Sequence, residues 1–171
     1  MKLSKVERLI LANQFKILEA LYPDDEKYYS NSRIALEEGF ESHYDNCFEV
    51  LSENELTSEE CDEVIEILNM YRAITFSYQK LKDKEDIDED EVKFEGFDLN
   101  DENEGKRVIY TRYFINDLDR FEELKYGDKY ADFNSHSIML PTYRNRLGKW
   151  KQLEKSFNLS KDEIIEITSL Y

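Results

Sequence analysis

Glycine and proline are scarce in this chain, which has 5 glycines and 2 prolines among its 171 residues. Folds with many short strands need these residues at their tight turns, so a β-sandwich or a β-barrel is disfavoured and long helices are favoured. Cysteine is scarce as well, since Cys47 and Cys61 are the only two. Two cysteines do not make a disulfide framework, and we expect both thiols to be reduced.

Long apolar runs are also lacking. No stretch approaches the roughly 18 apolar residues that a membrane span requires. The first residues do not form a charged segment followed by an apolar one, as a secretory signal would. We therefore expect a soluble, cytoplasmic protein that does not bind membranes.

Basic residues are few in the first part of the chain, and the net charge is −16. Residues 1–105 hold 11 Lys and Arg against 29 Asp and Glu, whereas residues 106–171 hold 12 against 10. An acidic body repels nucleic acid, so nucleic acid is not an expected partner. Such a contact would have to rest on Arg144, Lys151 and Lys155 alone.

Helix signals dominate what is present. Three capping boxes are predicted, at Ser4 with Glu7, Thr57 with Glu60, and Ser160 with Glu163. The second opens a helix from Thr57 to Asp83, whose apolar heptad positions are Val64, Ile67, Tyr71, Ile74, Tyr78 and Leu81. Further apolar residues, such as Ala73 and Phe76, fall on its other side, which indicates neighbours on more than one side. The prediction is an all-α, irregular or orthogonal bundle around one long central helix.

The other elements follow from similar signals. Helices are predicted over 4–22, 24–38, 41–51 and 141–156, and after Ser160. Gly39 is the predicted stop of the second. Phe157 is expected on the apolar face of the 141–156 helix, and Leu170 on that of the last helix. Residues 108–115 fit either a strand paired with 92–97 or a helix, and we favour the helix. We predict one domain over 1–171; its natural divisions would be a helical subdomain 1–83, an acidic connection 83–91 and C-terminal helices 98–171.

The first helix carries two apolar stripes on nearly opposite sides. One contains Val6, Ile10, Ile17 and Leu21, with Asn13 at its centre, and the other contains Leu11, Phe15, Leu18 and Tyr22. A helix at the rim of a monomer needs only one such face. We therefore predict a homo-oligomer and assign its interface to Leu11, Phe15, Leu18 and Tyr22. An Asn within an apolar stripe is typical of a residue that fixes the register between helices.

A metal site is not expected. His43, Cys47 and Cys61 are zinc-type ligands, but they lack the spacing of a zinc motif. Buried free cysteine more often behaves as a small hydrophobic residue. We predict no metal and no cofactor.

The best candidate for a site is the loop and helix start over 132–144. Its residues are Asp132, Asn134, His136, Tyr143 and Arg144. A helix start at Pro141 would offer free N–H groups to an anion, and Asp132 would orient His136 as a general base. These residues would then bind a small molecule or an anion, or support a weak hydrolase. The alternative is that they cap helix ends and fix a long loop.

Several segments resemble the YfbU family of bacterial proteins. They are ERLILANQFK (7–16), LTSEECDEVIEILNMYRA (56–73), FEGFD (94–98), ADFNSHSIMLPTYRNRL (131–147) and NLSKDEI (158–164). The resemblance implies an all-helical, soluble protein that self-associates, and it favours a helix over 108–115. It implies no activity. The function expected from the sequence is therefore that of an interaction module.

Overall fold

The chain folds into two compact units, Met1–Glu55 (unit 1) and Leu56–Tyr171 (unit 2). The computed structural model describes residues 1–127, 129 and 132–169. The division falls between residues 55 and 56, so the long helix that begins at Ser58 groups with the C-terminal helices. Leu170, expected on the last helix, lies outside the described residues.

Six α-helices form in the described residues. They are α1 (Lys5–Leu21), α2 (Glu26–Glu38), α3 (Ser58–Lys80), α4 (Gly105–Arg112), α5 (Leu140–Gln152) and α6 (Lys161–Thr168). The same part of the chain contains no β-strand, which confirms the all-α class. None of these helices has the length and the apolar character that a membrane crossing requires.

All three predicted capping boxes form, at the starts of α1, α3 and α6. At α3, for example, the Glu60 N–H donates to the Thr57 hydroxyl while the Thr57 N–H donates to the Glu60 carboxylate. Each box satisfies two N–H groups that a helix start otherwise leaves without a partner. These local hydrogen bonds therefore fix where the three helices begin.

Unit 1 is built on the contact between α1 and α2. Its core contains Ala12, Phe15, Leu36 and Tyr44, and Leu11 and Leu18 pack against that core. Gly39, with φ +80°, ends α2 in the left-handed conformation that was expected of it. The helix predicted over 41–51 is wrong: two short 3₁₀ turns form instead, at Glu41–His43 and Asp45–Phe48, and neither has a side-chain cap.

Unit 2 has the larger core, to which α3 contributes more buried residues than any other helix. The loop residues Phe94 and Phe97 are fully buried, and their rings contact Tyr71 of α3 and Tyr143 of α5. Residues 108–115 are helical, running from α4 into a π-helical turn over Tyr113–Asp117. The preference for helix over a strand paired with 92–97 is confirmed.

The C-terminal part departs from the prediction at the end of α5. This helix ends at Gln152, short of the predicted 156, because Glu154 and Lys155 both adopt positive φ. Phe157 consequently lies beyond the helix, although its ring still contacts Trp150 at 5.7 Å between centroids. The remainder of the segment to Ser160 is irregular.

Gly96 lets two loops of unit 2 approach closely. Phe97 N–H donates to the Phe133 carbonyl at 3.1 Å, and Ser135 N–H donates to the Phe97 carbonyl at 3.1 Å. A Cβ at position 96, where φ is +99°, would lie 1.9 Å from the Phe133 carbonyl oxygen. A side chain there would break this pairing, so the position requires glycine.

Gly96→Ala is expected to destabilise unit 2 by at least about 3 kcal/mol, because a backbone clash and positive φ act together. The matched control is Gly148→Ala, at a helical position with open space around it, which should gain up to about 1 kcal/mol. The stability of unit 2 in both variants is measured by urea unfolding, followed by the fluorescence of Trp150, the only tryptophan. Equal stability of the two variants would contradict this account of the loop.

Candidate functional site

The N-terminus of α5, where the sequence suggested an anion site, is occupied by a carboxylate of the chain itself. Glu104 is 1% exposed. Its Oε1 accepts the N–H groups of Met139 (2.9 Å) and Leu140 (2.5 Å), and its Oε2 accepts the N–H of Asp98 (2.8 Å). Free N–H groups and the helix dipole favour an anion at this position. Glu104 supplies that anion.

The loop residues Asp132, Asn134 and His136 are engaged in backbone contacts. The side-chain oxygen of Asn134, Oδ1, accepts the N–H groups of Leu99 and His136, each at 3.2 Å. The Asp132 carboxylate accepts the Asn134 N–H at 3.4 Å, while the Asp132 backbone carbonyl accepts Arg112 Nε at 2.6 Å. His136 is exposed and has φ +54°. These contacts match the structural alternative, in which the side chains fix the loop.

Tyr143 belongs to the core. Its side chain is fully buried, and its hydroxyl donates to the Gly96 carbonyl at 2.9 Å. Burial raises the pKa of Tyr143 well above its usual value, because the phenolate would lose its hydration. Tyr143 is therefore a neutral donor that holds the Gly96 loop against α5.

Arg144 pairs with α3. Its Nε and a terminal nitrogen donate to the Glu63 carboxylate at 2.6 and 3.0 Å. These hydrogen bonds lower the pKa of Glu63 and raise that of Arg144. The partner of Arg144 is therefore a carboxylate of α3, and within the described part of the chain no ion pair joins Arg144 to Asp132.

Lys151 of α5 and Lys155, which lies beyond the end of that helix, both pair with Glu66 of α3. Lys151 Nζ lies 2.6 Å from a Glu66 oxygen, and Lys155 contacts the second Glu66 oxygen. Hydrogen bonds from the two lysines lower the pKa of Glu66. The residues on which a nucleic-acid contact would have to rest are thus paired with carboxylates of the same unit.

Arg107 and Glu104 are charged residues that sequence reasoning missed. Arg107 is buried and donates to Glu60 (3.0 Å) and Glu63 (3.3 Å). Their spacing could have indicated burial, because positions 104, 107, 108 and 111 fall on one face of a helix. All four residues are buried in the structure. An open hollow of about 400 Å³ lies beside this network, and the charges of Arg107, Arg144 and Glu60 on its wall are paired within the chain.

The zinc-type ligands fall in different units, His43 and Cys47 in unit 1 and Cys61 in unit 2. Both cysteines are free thiols. Burial raises the pKa of the Cys47 thiol, which favours its neutral form. Within residues 1–127, 129 and 132–169, no group of three or more potential ligands is arranged to hold a metal ion.

Unit 1 exposes an apolar face on α1. Phe15 is 8% exposed and belongs to the core with α2, so three of the residues assigned to an interface, Leu11, Phe15 and Leu18, are engaged inside the unit. That assignment reversed the two stripes, because the core with α2 forms on the Phe15 side. The opposite stripe is between 53% and 66% exposed at Val6, Leu9, Ile10, Ile17 and Leu21.

Comparison with known proteins supports the resemblance noted in the sequence. The profile of the YfbU domain matches residues 1–169. A relative from Methanocaldococcus jannaschii, the UPF0304 protein MJECS11, is 38% identical over an alignment of 171 positions that includes 96% of this chain and 98% of that protein. The match therefore spans both units.

Glu104→Ala is expected to lower the stability of unit 2 by at least about 3 kcal/mol, because three backbone N–H groups lose their acceptor. Glu104→Gln, which keeps the shape but turns an acceptor into a donor, should fall between Glu104→Ala and the wild type. The control is Glu102→Ala, an exposed neighbour, which should change stability by less than about 0.5 kcal/mol. Trp150 fluorescence during urea unfolding reports all three, and equal losses at 102 and 104 would refute the assigned role.

Proposed function

Because this chain belongs to the YfbU family, and neither the family's name nor that of its relative states an activity, we propose a function from the geometry. The protein is a cytoplasmic interaction module that associates with a second copy of itself through the exposed face of α1. We call this face the α1 stripe; it consists of Val6, Leu9, Ile10, Ile17 and Leu21. The two free thiols agree with a reducing compartment.

The observation that carries this proposal is the continuity of the α1 stripe. Its five side chains recur at helical spacing over four turns, and each is more than half exposed. Scattered exposed apolar residues are normal, but a contiguous apolar patch marks an interaction surface. Asn13 lies within the stripe and is exposed as well, as expected for a polar residue that sets the register of a helical contact.

The energetics favour a reversible complex. Full burial of an aliphatic side chain contributes roughly 1.5–3 kcal/mol, so the exposed half contributes about 1 kcal/mol. Five such side chains on each of two copies therefore contribute on the order of 10 kcal/mol, against an association cost of roughly 4–15 kcal/mol. These magnitudes predict a complex that depends on protein concentration.

The alternative function, an anion-binding protein or a hydrolase built on 132–144, has less support. Glu104 already accepts the N–H groups at the start of α5, and Arg144 is paired with Glu63. The Asp132 carboxylate is bonded to a backbone amide of its own loop. The groups that would recognise an anion or activate a water are thus engaged with the protein.

Ile10→Glu with Ile17→Glu is expected to weaken self-association about a thousandfold, since four half-exposed side chains at about 1 kcal/mol each are lost per pair. Sedimentation between 5 and 100 µM, roughly the range of reversible dimers, measures this. Ile109→Glu, at an equally exposed isoleucine of unit 2, is the control and should sediment as the wild type does. A wild type that is monomeric throughout this range would refute the proposal.

A further inference from the structure

Unit 1 carries a concave surface beside α2. Two adjacent open hollows, of about 440 and 600 Å³, share Asn46 and Glu49 in their walls. The first extends along α2 from Tyr28 to Ala35, and the second continues to Glu53. We call the two hollows together the acidic groove.

The groove combines apolar walls with an acidic rim. Tyr28, Ile34, Phe40 and Leu51 line it and are between 43% and 63% exposed. Glu49 and Glu53 stand at its edge, and within the described residues neither carboxylate is in a salt bridge. A surface of this kind suits an apolar helix face that is flanked by cations.

The α1 stripe is such a face. Lys5 and Lys16 are eleven residues apart, which is close to three helical turns, so they lie along one edge of the stripe. In the part of the chain that the structure describes, neither lysine forms a salt bridge. Two lysines that form no salt bridge within the described residues therefore lie along one side of the stripe.

A chain cannot place this stripe in its own groove. The opposite face of α1, at Ala12 and Phe15, packs against α2 in the core of unit 1. The stripe consequently points away from α2, whereas the groove is lined by α2 and the turns that follow it. Only another molecule can bring the two surfaces together.

We propose that the α1 stripe of one copy binds in the acidic groove of a second copy, with Lys5 and Lys16 facing Glu49 and Glu53. This inference rests on the self-association proposed above and names the surface that receives the stripe. Exchanging both contacts between two copies gives a closed pair with two-fold symmetry. The apolar contact supplies affinity, and the charge pairs supply orientation.

The groove also offers hydrogen-bond partners for the side chain of Asn13. An amide buried between two molecules must find a hydrogen-bond partner. Asn31 and Asn46 both line the groove and are exposed in the single chain. Either side chain can donate to and accept from an amide that enters with the stripe.

A charge exchange tests this pairing. One variant carries Lys5→Glu and Lys16→Glu, and the other carries Glu49→Lys and Glu53→Lys. Two copies of the same variant would place like charges across both contacts. Each variant by itself should therefore remain monomeric at concentrations at which the wild type forms pairs. An equimolar mixture places opposite charges across both contacts and should form mixed pairs at wild-type concentrations. Native mass spectrometry and sedimentation identify the mixed pair.

A control variant, Glu102→Lys with Asp117→Lys, makes the same charge change as Glu49→Lys with Glu53→Lys, but at exposed sites of unit 2. It should associate as the wild type does. Circular dichroism verifies that every variant folds. A mixture that stays monomeric, or either charge variant pairing alone as well as the wild type, would overturn the stripe-in-groove pairing. Self-association would still stand if Ile10→Glu with Ile17→Glu abolished it. A monomeric wild type would remove both proposals.

Discussion

A buried carboxylate can be tolerated only if hydrogen-bond donors replace its lost hydration, and in unit 2 this constraint is met by the backbone around Glu104. The side chain lies at the start of α4 and accepts N–H groups from Asp98 and from the start of α5. One residue thus joins the backbone at Asp98, six residues before it, to the start of α5, 35 and 36 residues after it. The Gly96 loop, which pairs with Phe133 and Ser135, is held within the same arrangement by the Tyr143 hydroxyl.

The two units differ in how far the charges of the regions described above are paired. In unit 2 the start of α5 is bonded to Glu104. Arg144, Lys151 and Lys155 are paired with Glu63 and Glu66. In unit 1 the core side of α1 is occupied, while its other side and the acidic groove expose apolar surface and unpaired charge. Polar groups that are already paired make a stable scaffold, whereas exposed apolar surface is what association buries.

What the sequence could predict were features with local causes. A capping box depends on residues three apart, so the starts of α1, α3 and α6 were readable from Ser4, Thr57 and Ser160. The role of Glu104 depends on amides 35 and 36 residues away, which no local pattern indicates. The two stripes of α1 are equally apolar in sequence, so only the position of α2 decides that Phe15 is buried and Ile10 exposed.

Hydrogen exchange at two protein concentrations tests the central claim, that unit 1 associates while unit 2 does not take part. Exchange is compared by mass spectrometry at about 1 and 100 µM, which bracket a reversible dimer. The account predicts slower exchange at the higher concentration in peptides from α1 and from residues 40–53. It predicts no change in peptides around Asp98 and the start of α5. Exchange that is independent of concentration in unit 1, or that slows only in unit 2, would contradict it.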